Sequence, residues 1–151
     1  MREPEPDRRR SMFAAAAVGI GLMAAVDEIV FHQVLGWHHF FDRSTPRIGL
    51  LSDGLLHSAE IVLLVAGGFG LAGLVRRGAL ARRAAWAGAF LGAGGFQLFD
   101  GIVDHKLLRV HQIRYGVDLL PYDLAWNAAG VLLLLVGLVL ARRRRTAADR
   151  P

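Results

Sequence analysis

The sequence contains no cysteine. That absence excludes disulfide bonds, thiolate metal sites and cysteine nucleophiles together. A second lack is positional. The stretches AAAAVGIGL (14–22) and VLLLLVGLVL (131–140) hold no ionisable group. A third concerns charge. The net charge is +5, yet the basic residues gather at the ends of apolar segments instead of spreading over them. We read that pattern as a membrane-topology signal and not as a nucleic-acid footprint.

What is present is apolar. Of 151 residues, 54% are hydrophobic. Four runs stand out, at about 11–35, 50–75, 84–108 and 123–141, each close to or above the ~20 residues that cross a bilayer. Arg8–Arg10, RRGALARR (76–83) and RRRR (142–145) punctuate them. Thirteen of the 18 basic residues fall in the two tails and the 76–83 loop. The positive-inside rule therefore places both termini and that loop of a multi-pass membrane protein in the cytoplasm. The start, RRRSMFAAAAVGIGLMAA, imitates a signal peptide. Its later partner in the chain argues instead for a retained span. The tails, 1–10 and 142–151, read as disordered and cytoplasmic, and the RRRR run as an anchor touching anionic lipid.

That partner is an internal repeat. DEIVFHQVLGWH (27–38) aligns with DGIVDHKLLRVH (100–111), sharing D-x-I-V-x-H-x-x-L-x-x-H at an offset of 73. LLSDGLLHSAE (50–60) corresponds to LLPYDLAWNAA (119–129), which with a shift of one residue pairs Asp53 with Asp123 and His57 with Asn127. The expected fold is all-α: four transmembrane helices as two tandem pseudo-symmetric hairpins of one orientation, forming a four-helix bundle.

At ~1.5 Å per residue, Asp27 and Asp100 both lie roughly 25 Å from the inner arginine of their span. Glu60, His57, Asn127 and Asp123 reach similar depths. One polar layer thus sits just beneath the outer surface, and all six histidines lie in the outer half. Isolated charges there cost a few kcal/mol each by insertion scales, so they must face one another, a metal or water. Asp27, Glu28, His32, His38, His57, Glu60, Asp100, His105 and His111 are the candidate metal ligands. Asp53 or Asp104 is the candidate general base to a metal-bound water. Thiolate-free nitrogen and oxygen donors suit a transition metal ion such as iron, zinc, manganese or copper(II). His57 and Glu60 form H-x-x-E, a spacing used in bundle metal sites. His39 and Asp42 read as loop surface.

Angle complicates this picture. At ~100° per residue, His105 stands about 140° from Asp100. Either there are two sites, or the helices break near Gly36 and Arg109 and donors at 38–39 and 111 fold back. Trp37, Tyr115, Tyr122 and Trp126 suggest an interfacial aromatic belt. GGFGLAG (67–73) and GAFLGAGG (88–95) suggest helix-packing surfaces.

Three functions follow. The first is a membrane metalloprotein doing redox or hydrolytic chemistry or handling the metal. The second is a haem electron carrier ligated by His32 and His105. The third is a metal or proton transporter, against which the unbroken apolar inner halves argue. These features also allow a homo-oligomer.

DEIVFHQVLGWHH and FDGIVDHKLLRVHQIRYGVDLLPYDLAWN resemble a bacterial family of predicted four-span membrane proteins, the domain of unknown function 2243 family. The resemblance covers roughly residues 12–141. It implies an integral membrane location and gene company with assembly factors for copper-containing respiratory oxidases. It carries no reaction and no ligand assignment.

Overall fold

The computed structural model describes residues 5–142. Residues 1–4 and 143–151, with the last three arginines of the RRRR run, lie outside the described residues.

Helix α1 spans Arg8–Asp27 and runs on without a break into a π-helical turn, Glu28–Val34. It begins three residues before the expected boundary, inside the stretch read as a tail. The Asp7 side chain caps it, accepting the Arg10 N–H at 2.9 Å. Helix α2, Pro46–Arg76, starts on a proline at its first turn, where a missing N–H costs nothing. Helix α3, Arg82–Leu98, continues into a second π-helical turn, Phe99–Leu107. Helix α4 covers Leu120–Ala141. No strand occurs among the described residues beyond an isolated bridge between Asp7 and Leu80.

Three helical stretches are long and apolar enough to cross a membrane: Arg8–Val34, Pro46–Arg76 and Leu120–Ala141. The α3 stretch does not join them. It opens on Arg82 and Arg83, and Asp100, Asp104 and Lys106 follow in its π-helical turn.

The arrangement differs from a square bundle. Helices α1 and α3 pack on each other at the centre, α2 packs on α1, and α4 packs on α3; α2 and α4 do not meet among the described residues. Small residues set the central contact. A Cβ on Gly19 would sit 2.1 Å from the Ala89 carbonyl oxygen, and one on Gly92 would sit 2.2 Å from that of Ala16. Only glycine permits so close an approach.

Polarity is inverted relative to a water-soluble core. Asp27, Glu28, His32, Asp53, Glu60, Asp100, His105 and His111 are buried. Leu51, Leu55, Val62 and Phe69 on α2, and Leu124, Leu132, Leu135 and Val139 on α4, are exposed. Such a surface suits hydrocarbon, and such an interior suits buried polar groups that satisfy one another. At the opposite end Arg83 of α3 donates to the carbonyls of Val139, Leu140 and Arg142, satisfying the last turn of α4.

Candidate metal centre

The site begins with the π-helical turns. Asp27 and His32 are five residues apart, as are Asp100 and His105. An α-helix would turn such pairs well away from each other. Hydrogen bonds of the i→i+5 kind widen the turn, here Leu35 N–H to Val30 O at 2.9 Å and Leu108 N–H to Val103 O at 2.7 Å. Residues five apart then share a face. His32 Nε2 lies 3.5 Å from Asp27 Oδ2, and His105 Nε2 lies 3.3 Å from Asp100 Oδ2.

Beyond each π-helical turn the chain reverses through one left-handed residue, Gly36 (φ 59°) or Arg109 (φ 53°). The reversal folds His38 and His111 back over the helix ends, and both become buried. The loops then clasp each other. His38 Nδ1 donates to the Ile113 carbonyl at 3.0 Å and His111 Nδ1 donates to the Phe40 carbonyl at 2.9 Å. Asp42 N–H donates to the Val110 carbonyl at 3.0 Å. A carbonyl can only accept, so Nδ1 carries a proton in both rings; in His38 the Nε2 atom then keeps its lone pair, whereas in His111 it faces the Asp100 carboxylate. Both Nε2 atoms are buried and unpartnered, as are Nε2 of His32 and both ring nitrogens of His105.

The four rings form one cluster. Centroids of His32 and His38 are 4.4 Å apart, those of His38 and His111 4.6 Å, and those of His105 and His111 4.7 Å. Ligand-capable atoms lie within 4.8 Å of one another in three sets: His38, His105 and His111; Asp27, His32 and His38; and Glu28, His32 and Asp53. The second oxygen of Asp100 reaches His111 Nε2 at 3.3 Å. Neutral imidazoles with aimed lone pairs, carboxylates between them and outer carbonyls fixing the tautomers are what an N/O transition-metal site requires. Burial, reinforced by His111, His32 and His105, drives His38 down to about 2, so that ring stays neutral at physiological pH. His111 shifts the other way. Burial opposes its charge, but the Asp100 carboxylate outweighs it and moves the ring up. A cleft of about 430 Å³ lined by Gly36, Trp37, His38, His39, Asp42 and Tyr115 leads to His38 from outside.

Seven expected ligands converge here: Asp27, Glu28, His32, His38, Asp100, His105 and His111. The other residues depart from expectation. His57 pairs with Glu60, but its side chain is 43% exposed and it joins none of the ligand sets. Helix α2 flanks the centre, so only a narrow strip of it is covered, and that strip carries Asp53 and Glu60. Asp53 is not a free base. It accepts the Phe40 N–H at 2.7 Å, and its oxygens lie 3.1 Å from His32 Nδ1 and 2.5 Å from His39 Nδ1. Asp104 is buried and enters no ion pair among the described residues. His39, expected on the surface, is the residue sequence reasoning missed. Its partner is 14 positions away, so spacing held no signal for it. Among the expected belt residues, Trp37 packs edge-on against Tyr122 at 5.7 Å, with Arg114 stacked 4.7 Å above Trp37.

An all-helical membrane protein with an imidazole–carboxylate cluster at one end is the class that this fold and site define. The chain belongs to the family described as "Predicted membrane protein (DUF2243)", whose model matches residues 14–144. No curated protein and no solved structure matches it.

Proposed function

We propose that the protein is an integral membrane metalloprotein whose centre lies near the outer face of a bacterial inner membrane. One observation carries this reading. His38 and His111 each turn Nδ1 to a carbonyl of the opposite loop, leaving two buried Nε2 atoms directed into the cluster without a hydrogen bond. Leaving such atoms unmet costs ~1–3 kcal/mol each, and a metal ion meets them. An iron, zinc or copper ion would supply Lewis-acid or redox chemistry there.

The chain's own residues have separate tasks in this reading. His32, His38, His105, His111, Asp27 and Asp100 hold the ion. Asp53 orients His32 and His39 and is a positioning residue. Asp104, buried without an ion-pair partner, is the carboxylate left for proton transfer. The chemistry is redox or hydrolytic, or consists in handing the metal to a respiratory complex.

The same proposal includes four spans, with α3 as the fourth, and cytoplasmic termini. Helix α3 lies between α1 and α4 and so needs less apolar surface than its neighbours. Two tandem hairpins are supported by details that repeat at the offset of 73. The ends of the two π-helical turns, Val34 and Leu107, obey it, as do Gly36 with Arg109, His38 with His111, Phe40 with Ile113, Gly19 with Gly92 and Ala16 with Ala89.

The haem reading fares less well. His38 and His111 pack between the two helix-borne histidines, with neighbouring rings at 4.4–4.7 Å, which leaves no slot for a macrocycle.

Elemental analysis of protein purified in detergent tests the proposal. Wild type should carry stoichiometric transition metal, His38→Ala and His111→Ala should lose it, and His57→Ala should keep it. Metal-free wild type after exposure to iron, zinc and copper(II), or full retention by a His38→Ala/His111→Ala double variant, would overturn it.

A further inference from the structure

The two halves are not equivalent around their imidazoles. In the second half Asp123 is the only acid that α4 brings to the centre, and Lys106 Nζ neutralises it at 2.5 Å. The offset of 73 places Gln33 where Lys106 stands, and Glu28 where Gly101 stands. The first half therefore lacks the resident cation and gains an acid. Glu28 and Asp53 both approach one nitrogen, His32 Nδ1, at 2.8 and 3.1 Å. Glu28 is completely buried, and its Oε2 accepts no hydrogen bond. Gln33 donates only to the other oxygen, at 2.9 Å. Asp53 is already met by the Phe40 N–H and by His39 Nδ1, so the shortfall lies with Glu28, whose buried Oε2 has neither a donor nor a lysine or arginine beside it among the described residues, and such buried negative charge is costly. On the opposite side of the same ring, Nε2 faces Asp27 and the main cluster.

We infer that this flank is a second cation site, formed by Glu28, Asp53 and Nδ1 of His32, so that His32 bridges two metal ions through its two ring nitrogens. The inference rests on the metal centre proposed above. Donor spacing suits it: bonds of ~2.1 Å in a tetrahedron need edges of ~3.4 Å, and the present 2.8 and 3.1 Å require only slight expansion. Gln33 lies at the rim and is exposed. The Nδ1 proton leaves to solvent as the second ion binds. The second half cannot build this site, because Gly101 has no ligand and Lys106 already occupies Asp123.

Copper(II) titration of the chelator-stripped full chain in detergent tests it, with bound metal counted after desalting and spin counted by EPR. Wild type should bind two copper ions per chain. Its integrated EPR intensity should fall well below two spins, because an imidazolate couples them. Glu28→Gln should bind one ion with one uncoupled spin. Gln33→Lys supplies the missing cation without removing a ligand, and it too should bind one. One ion in wild type with none lost in either variant overturns the second site and leaves the central one standing. Two ions in both variants, or loss of both ions from both, overturns it as well. No bound ion in wild type overturns the central site itself.

Discussion

His38 and His111 stack face to face, with ring centroids 4.6 Å apart and planes 4° apart. Each ring is anchored by the loop that carries the other, through Ile113 and Phe40. The clasp thus depends on both loops at once, and the two rings cannot both take a proton without repulsion.

Acid should weaken the metal-free fold through His38. Its folded-state value, about 2, lies below the ~6.5 of an unfolded chain. A lowered value means that its contribution is complete above pH ~6.5 and is lost as pH falls, at up to ~1.4 kcal/mol per unit. His111 is shifted upward, so its contribution stays constant over the same range and is lost only at higher pH. Thermal melts of chelated protein between pH 6.5 and 4.5 should fall less steeply for His38→Gln than for wild type. Equal slopes would refute the assignment.

The α1–α3 contact should tolerate no methyl group at its glycines. Gly19→Ala or Gly92→Ala forces two backbones apart, and we expect ~2–3 kcal/mol of destabilisation. Gly95→Ala, with nothing within 4 Å of the new Cβ, should be neutral or slightly stabilising. Melting temperatures in one detergent, compared across the three variants, decide this.

The loop reversals carry backbone strain of opposite consequence. Gly36→Ala meets no neighbour but places a side chain at φ 59°, which costs ~1 kcal/mol. Arg109 already bears that strain at φ 53°. Arg109→Gly should be neutral or gain up to ~1 kcal/mol. A destabilised Arg109→Gly with an unaffected Gly36→Ala would contradict the geometry.

Lys106 and Asp123 should show strong coupling in a double-mutant cycle. Lys106→Gln leaves a largely buried carboxylate alone, at a cost of ~1–3 kcal/mol. Adding Asp123→Asn should recover most of it. Additive losses would mean that the two side chains do not act as a pair.

Much of the polar layer was legible in the chain itself. Ionisable residues at the same distance from the arginines that end their segments, on segments too apolar to hold them singly, must meet one another. The glycine at position 36 foretold a break, and the chain does reverse there. The α2 donors were less legible. Asp53, His57 and Glu60 share a helical face, yet only Asp53 and Glu60 are covered, because burial depends on how much of α2 its single neighbour α1 hides. Which helices meet was illegible for the same reason: periodicity marks a face without saying how many helices cover it.

Sequence alone determined which residues leave water and which must find polar company, because hydrophobic run length and charge placement act segment by segment. Tertiary structure decided the rest. The π-helical turns that swing His32 toward Asp27 and His105 toward Asp100, the exchange of carbonyls between loops some 70 residues apart, and the choice of His39 over His57 beside Asp53 all depend on partners remote in the chain. Local propensity cannot express such choices, since each is stable only once the other half of the molecule is in place.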